Sequence, residues 1–186
     1  ALLSAAEIPY MIVGSLASSY HGRPRATQDI DVVVEADAQR VSRFVGECVD
    51  RGFYVDLPDA LQAVAQGTMF NVIDPTSGNK LDVIMRKDRS FSRGEFERRS
   101  LVDVPGGVAV IATPEDVILA KLEWGRASGS DRHHRDALGI AQVQGASLDA
   151  AYLRRWASVL GVADDVERLL REAGIDTAPE DPGTTS

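Results

Sequence analysis

Val13-Gly14-Ser15-Leu16-Ala17, with Asp29-Ile30-Asp31-Val32 following after thirteen residues between Ser15 and Asp29, is the stretch on which the fold turns. Tyr10-Met11-Ile12-Val13 is a short apolar run closed by Gly14-Ser15, the pattern of a buried strand. Ser15 to His21 reads as a short helix, closed by Gly22 and Pro24. Ile30-Asp31-Val32-Val33-Val34 is rich in β-branched residues and reads as a second strand. Residues two apart on a strand point the same way, roughly 6–7 Å from each other. Asp29 and Asp31 therefore face one side, and Ile30, Val32 and Val34 face the core. Carboxylates that close repel unless a cation stands between them, and Mg²⁺ takes oxygen ligands of this kind. Taken alone, an Asp-x-Asp strand is equally an edge strand with outward acids. Gly14-Ser15 adds a second feature: at a strand end and helix start, backbone N–H groups, the helix dipole and the Ser15 hydroxyl all favour a phosphate.

A third carboxylate comes from a hairpin. Thr68 to Ile73 reads as a strand, Asp74-Pro75-Thr76-Ser77-Gly78 as a turn, and Lys80 to Met85 as the returning strand. Leu81, Val83 and Met85 share one face of it; Lys80, Asp82 and Ile84 share the other. Asp82 has the alternation to join Asp29 and Asp31, and three such acids can hold one or two divalent ions. In phosphoryl-type transfer, paired ions activate the attacking oxygen and neutralise a leaving pyrophosphate.

Working outward, Phe53-Tyr54-Val55 is expected as a further strand. Asp37 caps a helix to about Arg51, with Val41, Phe44, Val45 and Cys48 on one face and Gly52 ending it. A short helix near Phe91 to Arg98 and a strand at Val108 to Ile111 follow. The character changes at Thr113-Pro114-Glu115-Asp116, a helix start with a capping hydroxyl, a first-turn proline and two acids at the positive dipole end. Val117, Ile118, Lys121, Leu122 and Gly125 form one face of that helix. Residues 133–143 form another helix. Ser147 is expected to cap a third, carrying Leu148, Tyr152, Trp156 and Val159, and Val162, Val166, Leu169 and Leu170 mark a fourth. The result is an α+β chain: a core over 1–112, a helical region over 113–174 packed on it, and a disordered tail over 175–186.

The chain has 186 residues, of which 44% are hydrophobic, enough for an ordinary core. No apolar run approaches the roughly 18 residues that span a bilayer. Ala1 to Ala6 lacks the basic flank of a signal peptide and reads as the end of a first helix that begins upstream. The single Cys48 excludes an internal disulfide and fits a reducing compartment, so a cytoplasmic location is expected. A net charge of −8 opposes non-specific nucleic-acid binding. The basic stretch from Arg86 to Arg99 is the local exception, read as a mixed-charge solvated face.

The motifs resemble those of DNA-polymerase-β-type nucleotidyltransferases. The resemblance is carried by Val13-Gly14-Ser15 and by His21-Gly22-Arg23-Pro24-Arg25-Ala26-Thr27-Gln28-Asp29-Ile30-Asp31-Val32. It is nearer still to the branch holding the AbiEii-type toxins and related bacterial proteins, where Arg25, Thr27, Asp29 and Asp31 match the pattern position for position. Thr113 to Leu122 and Arg132 to Ile140 are similar to that branch's later motifs. The resemblance implies a minimal mixed sheet flanked by helices. It implies Asp29 and Asp31 as Mg²⁺ (or Mn²⁺) ligands, Asp82 as the third acid that activates the acceptor hydroxyl, and Gly14-Ser15 as the grip on an NTP. Arg25, Thr27 and Lys121 are further nucleotide-binding candidates. Two departures stand out: the Ser15 to Asp29 spacing is longer than in minimal antitoxin-type and aminoglycoside-type members, and Ser15 stands where many AbiEii relatives have Gly.

The expected activity is transfer of a nucleoside monophosphate from an NTP to a hydroxyl or phosphate acceptor, in tRNA, a protein or a small molecule. A toxin–antitoxin role with a cognate antitoxin follows from the branch; the alternative is a non-catalytic nucleotide- or partner-binding module with the same fold. His133 and His134 point about 100° apart on a helix and are a poor metal pair. Asp136 is either a partner for a basic core residue or a plain surface acid. Lys121 either snorkels past the core or reaches a phosphate. Trp124 and Trp156 are expected as packing residues.

Overall fold

The computed structural model describes residues 2–104 and 107–175. Beyond Ile175, the tail expected to be disordered lies outside the described residues. Two compact units divide the chain: one runs to Tyr20 and resumes over Pro24–Thr113, and the other joins His21–Arg23 to the residues from Pro114 onward.

The first unit contains α1 (Leu2–Ala5), β1 (Tyr10–Val13), α2 (Gly14–His21), β2 (Asp29–Val34), α3 (Ala38–Asp50), α4 (Leu57–Gln66), β3 (Met69–Ile73), β4 (Lys80–Met85), α5 (Ser90–Arg98), β5 (Ser100–Val104) and β6 (Gly107–Ile111). Its six strands form one mixed sheet in the order β3-β4-β2-β1-β6-β5. β1 runs antiparallel to β2 and parallel to β6, while β2 and β4 run parallel. This is the α+β mixed sheet with flanking helices that the motifs imply.

Alternation on the strands sorts the two faces. Val32, Val34, Phe70, Val72, Val83 and Met85 turn to one side and pack with Val41, Phe44, Val45 and Cys48 of α3 and Ala60 and Ala63 of α4. Phe44 meets Phe70 edge-on at 6.4 Å between ring centroids. Each large apolar side chain buried this way stabilises the unit by about 1.5–3 kcal/mol. Asp37 caps α3 by accepting from the Arg40 N–H at 2.9 Å. The opposite face of β2 and β4 carries Asp29, Asp31, Lys80 and Asp82 at one end and Val33 and Ile84 at the other.

Several elements differ from expectation. Phe53 to Val55 forms no strand; a single bridge joins Tyr54 to Ile73. Two elements were not anticipated, the edge strand β5 and the helix α4. The latter starts on an Asp56 side chain that accepts from the Asp59 N–H and ends at a left-handed Gly67. Ile30 is 39% exposed rather than core-facing. β1 spans only Asp31 to Val34 of β2, so Asp29 and Ile30 run past it with β4 as their strand partner.

The second unit holds α6 (Pro114–Ser128), α7 (Asp131–Gln144), a short 3₁₀ turn (Gly145–Ser147), α8 (Ala150–Leu160) and α9 (Ala163–Glu172). The cap of α8 is Asp149, which accepts from the Tyr152 N–H, and not Ser147, which belongs to the 3₁₀ turn. Leu148 and Tyr152 are buried as the spacing implies, but Val159 is exposed, and Leu153 and Ala157 complete the buried face. Val162, Val166, Leu169 and Leu170 are buried as the spacing implies. Trp124, expected to pack, is 59% exposed. Tyr152 Oη donates to the fully buried Asp116 at 2.6 Å. No helix among the described residues is long and apolar enough to cross a membrane.

Candidate active site

The register of β2 on β4 sets Asp31 directly beside Asp82, and Asp29 beside Lys80. Paired residues on neighbouring strands project to the same face, with strands about 4.8 Å apart. Asp29, Asp31, Lys80 and Asp82 thus share one face. β3 extends the row, because its Asn71 pairs with Asp82 and donates from Nδ2 to Asp82 Oδ1 at 2.5 Å. Lys80 Nζ reaches the same oxygen at 3.1 Å. Its pKa is raised, first by the hydrogen bond to Asp82 and then by the charges of Asp82, Asp29 and Asp31, against the opposing effect of burial. Lys80 is therefore held charged, and it senses all three acids.

On the other flank of β2, Val13 pairs with Asp31, and the next residue, Gly14, opens α2. Gly14 sits at φ +62°, where a side chain is strained. Arg25 Nη2 donates to Ser15 Oγ at 2.5 Å, so a guanidinium lies against the hydroxyl at the helix start. The Arg25 backbone N–H is turned inward to Ser19 Oγ at 3.4 Å. Thr27 Oγ1 donates to the Asp29 carbonyl at 3.1 Å, bracing the entry to β2. Gly14, Ser15, Arg25, Thr27, Asp29, Asp31 and Asp82 all lie in the first unit.

Lys121 belongs to the helical unit. There its ammonium donates to Asp136 Oδ2 at 2.7 Å, with side-chain exposures of 7% and 11%. Asp136 is neither a plain surface acid nor, in this contact, the partner of a basic residue of the core: it pairs with Lys121 inside its own helical unit. His134 pairs with Glu172 at 2.9 Å across helices of the same unit. The basic stretch is paired in part: Arg86 with Glu35, outside it, at 2.9 Å and Arg93 with Asp88, within it, at 2.5 Å.

Asp29, Asp31 and Asp82 are hard oxygen donors on one face, which fits a divalent cation in donor type and number. As the side chains stand, no three His, Cys, Asp or Glu among the described residues converge on a common point. Against Asp82 stands the Lys80 ammonium. Asn71 and Lys80 were missed as site residues. The Lys80 contact was legible from its place two residues before Asp82; the Asn71 contact depends on the hairpin register. Beside Asn71, along the β3 edge, lies a groove of about 310 Å³ lined by Tyr54, Asp59, Gln62, Gln66 and Met69 among others. None of the described lining residues is Lys, Arg or His.

No protein-family model and no curated protein matches the sequence. Solved structures match the fold. An antigenic nucleotidyltransferase-like protein from Paracoccidioides brasiliensis superposes with a TM-score of 0.54 at 15% identity, over 91% of this chain and 87% of that one. The antibiotic-resistance factor ANT(2")-Ia, in complex with adenylyl-2"-tobramycin, gives 0.52 at 15% identity, over 90% and 92%. The lincosamide antibiotic adenylyltransferase LnuA, lincomycin-bound, gives 0.51 at 14% identity, over 76% and 91%. The chain has the fold of these nucleotidyltransferase-like proteins.

Proposed function

We propose that this chain is a nucleotidyltransferase that moves a nucleoside monophosphate from an NTP to an acceptor, with Mg²⁺ or Mn²⁺. The observation that carries this reading is the in-register pair Asp31 and Asp82 on parallel strands, next to the Gly14-Ser15 helix start. Asp29, Asp31 and Asp82 are the residues that would hold the divalent ion, which when bound supplies charge neutralisation for the triphosphate and a more acidic acceptor hydroxyl. The first N–H groups of α2 and the Ser15 hydroxyl grip phosphate, with Arg25 adding a positive charge at Ser15. Asp82 takes the proton of the acceptor hydroxyl. The acceptor oxygen forms a bond to the α-phosphorus, the bond from that phosphorus to the bridging oxygen breaks, and pyrophosphate leaves with the electron pair.

Among the acceptors, tRNA, protein or small molecule, the groove beside Asn71 favours an uncharged or cationic hydroxyl compound. Its described lining has no basic side chain to meet nucleic-acid phosphates. The solved neighbours named for adenylyl transfer to antibiotics are consistent with a small-molecule acceptor. Membership of the AbiEii-like branch, with a cognate antitoxin, rests on the match of Arg25, Thr27, Asp29 and Asp31 to that motif. Co-purification with a small protein encoded beside it is the corresponding check.

A second reading, a nucleotide- or partner-binding module without catalysis, is favoured by the ammonium of Lys80 at Asp82. Calorimetric titration of the four NTPs with Mg²⁺, with pyrophosphate release followed in parallel, separates the two. Mg²⁺-dependent binding with turnover, both lost in D29A/D31A, supports the enzyme. Binding without pyrophosphate release supports the module, and intact turnover in the double variant would remove the carboxylates from the site.

A further inference from the structure

Lys80 and Asp82 stand two apart on β4, so the lysine shares the face of the acids. In the ladder Lys80 pairs with Asp29 and Asp82 with Asp31, which makes a rectangle of three carboxylates and one ammonium. Lys80 Nζ closes one side of it on Asp82 Oδ1 at 3.1 Å. The Asp82 side chain is 12% exposed and that of Lys80 35%, so the acid is fixed in place and the cation stands nearer to water. Three carboxylates on adjacent strands repel one another, and the ammonium offsets that repulsion. Its charge is single and its stem flexible, so it does not draw the three acids to one point; none of the described acids is so drawn.

A divalent ion makes a different demand. It needs carboxylate oxygens within roughly 2.0–2.6 Å of itself. Asp82 Oδ1 cannot give its full charge to such an ion and to Lys80 together, and two cations on one oxygen repel. The neutral amide of Asn71 carries no such conflict and can keep its bond to Asp82. On the reading of the site given above, we propose that Lys80 is the counter-ion of this carboxylate face in the metal-free protein, and that a divalent cation enters by displacing the Lys80 ammonium from Asp82. The exchange makes and breaks no covalent bond. It leaves Asp82 oriented by Asn71 and frees an ammonium at the site, able to swing to an anion such as a bound triphosphate. Lys80 is thus a positioning residue whose partner changes with occupancy.

The consequence is measurable with Mn²⁺ alone, followed by loss of its free-ion paramagnetic resonance signal. The full chain, D31A, K80M, K80Q and K80R are compared at low salt, each checked for folding by thermal melt. Removing the competing charge in K80M should tighten Mn²⁺ binding about tenfold. K80R, which keeps the charge, should stay near wild type, and D31A should lose binding. K80Q stands in if K80M does not fold. Equal or weaker Mn²⁺ affinity in K80M and K80Q, with wild-type binding abolished by D31A, overturns the exchange and leaves the site reading intact. Absence of Mn²⁺ binding in wild type and both charge-removed variants overturns the metal site and the exchange together.

Discussion

The Asp31 carboxylate occupies the space that a side chain on Gly14 would need: a Cβ placed there would come within 2.0 Å of Asp31 Oδ2 and 2.6 Å of its carboxyl carbon. The contact arises because β1 ends at Val13, the partner of Asp31, and the chain turns into α2 at φ +62°. Gly14 therefore does two things at once. It takes a backbone conformation that side chains resist, and it lets the turn proposed to grip phosphate lie against a carboxylate. Gly14→Ala should destabilise the protein by about 2 kcal/mol or more from backbone strain and overlap. It should also abolish Mg²⁺-dependent NTP binding by calorimetry. In an Asp31→Gly background the same change should cost only the strain, about 1 kcal/mol. Equal costs in both backgrounds would show that Asp31 is not what Gly14 accommodates.

Asn71 orients Asp82 without charge. If Asp82 accepts the acceptor's proton, the Asn71 bond sets the direction of the receiving oxygen. Asn71→Ala should lower kcat for pyrophosphate release about 10–100-fold, the cost of losing an orienting partner. KM for the nucleotide should hold, since Asn71 lies at the β3 edge and Ser15 on α2. A rise in KM at constant kcat would move Asn71 from orienting the acid to binding the nucleotide.

What could be read in advance divides along physical lines. β2 and β4 were legible because strand alternation sorts Val83 and Met85 from Asp82 within one segment. The α3 face was legible because Val41, Phe44, Val45 and Cys48 recur at helical spacing. The contact of Asn71 with Asp82 was not, because it depends on how two strands slide past each other, which the turn at Asp74 to Gly78 decides. There Asp74 accepts from the Thr76 N–H and the Ser77 hydroxyl. α4 carried its own signal, Asp56-Leu57-Pro58-Asp59, close in kind to the start at Thr113 that was read correctly. The supposed strand at Phe53 to Val55 failed since one bridge at Tyr54 is all its length allows before Asp56 caps the helix.

Lys121 and Asp136 form a nearly buried ion pair joining α6 to α7 within the helical unit. Removing one member leaves the other charge without its compensation. Lys121→Met should cost about 3–5 kcal/mol in denaturant unfolding. Lys121→Met with Asp136→Leu should recover most of that loss, because two apolar groups of similar size replace two desolvated charges. If the double variant is as unstable as the sum of the singles, the pair is held by partners beyond each other.

Cys48 reports on the α3 core. Its side chain is wholly buried, and burial pushes the thiol up to about 11 from 9.0, slightly offset by Arg51. The thiolate is the reactive form. Native protein at pH 8 should thus resist alkylation by iodoacetamide, and denatured protein should react within minutes. The shift also has a sign in stability. Between pH 9 and about 11 the unfolded thiol loses its proton while the folded one keeps it. The unfolded state then binds fewer protons, so stability falls as pH rises through that window. Lysines and tyrosines titrate nearby, so the contribution of Cys48 is isolated by difference. Cys48→Ala should show a shallower decline of unfolding free energy over the same pH range than wild type. Parallel declines, or rapid native alkylation, would place Cys48 in contact with solvent and loosen the packing of α3 against β2 and β3.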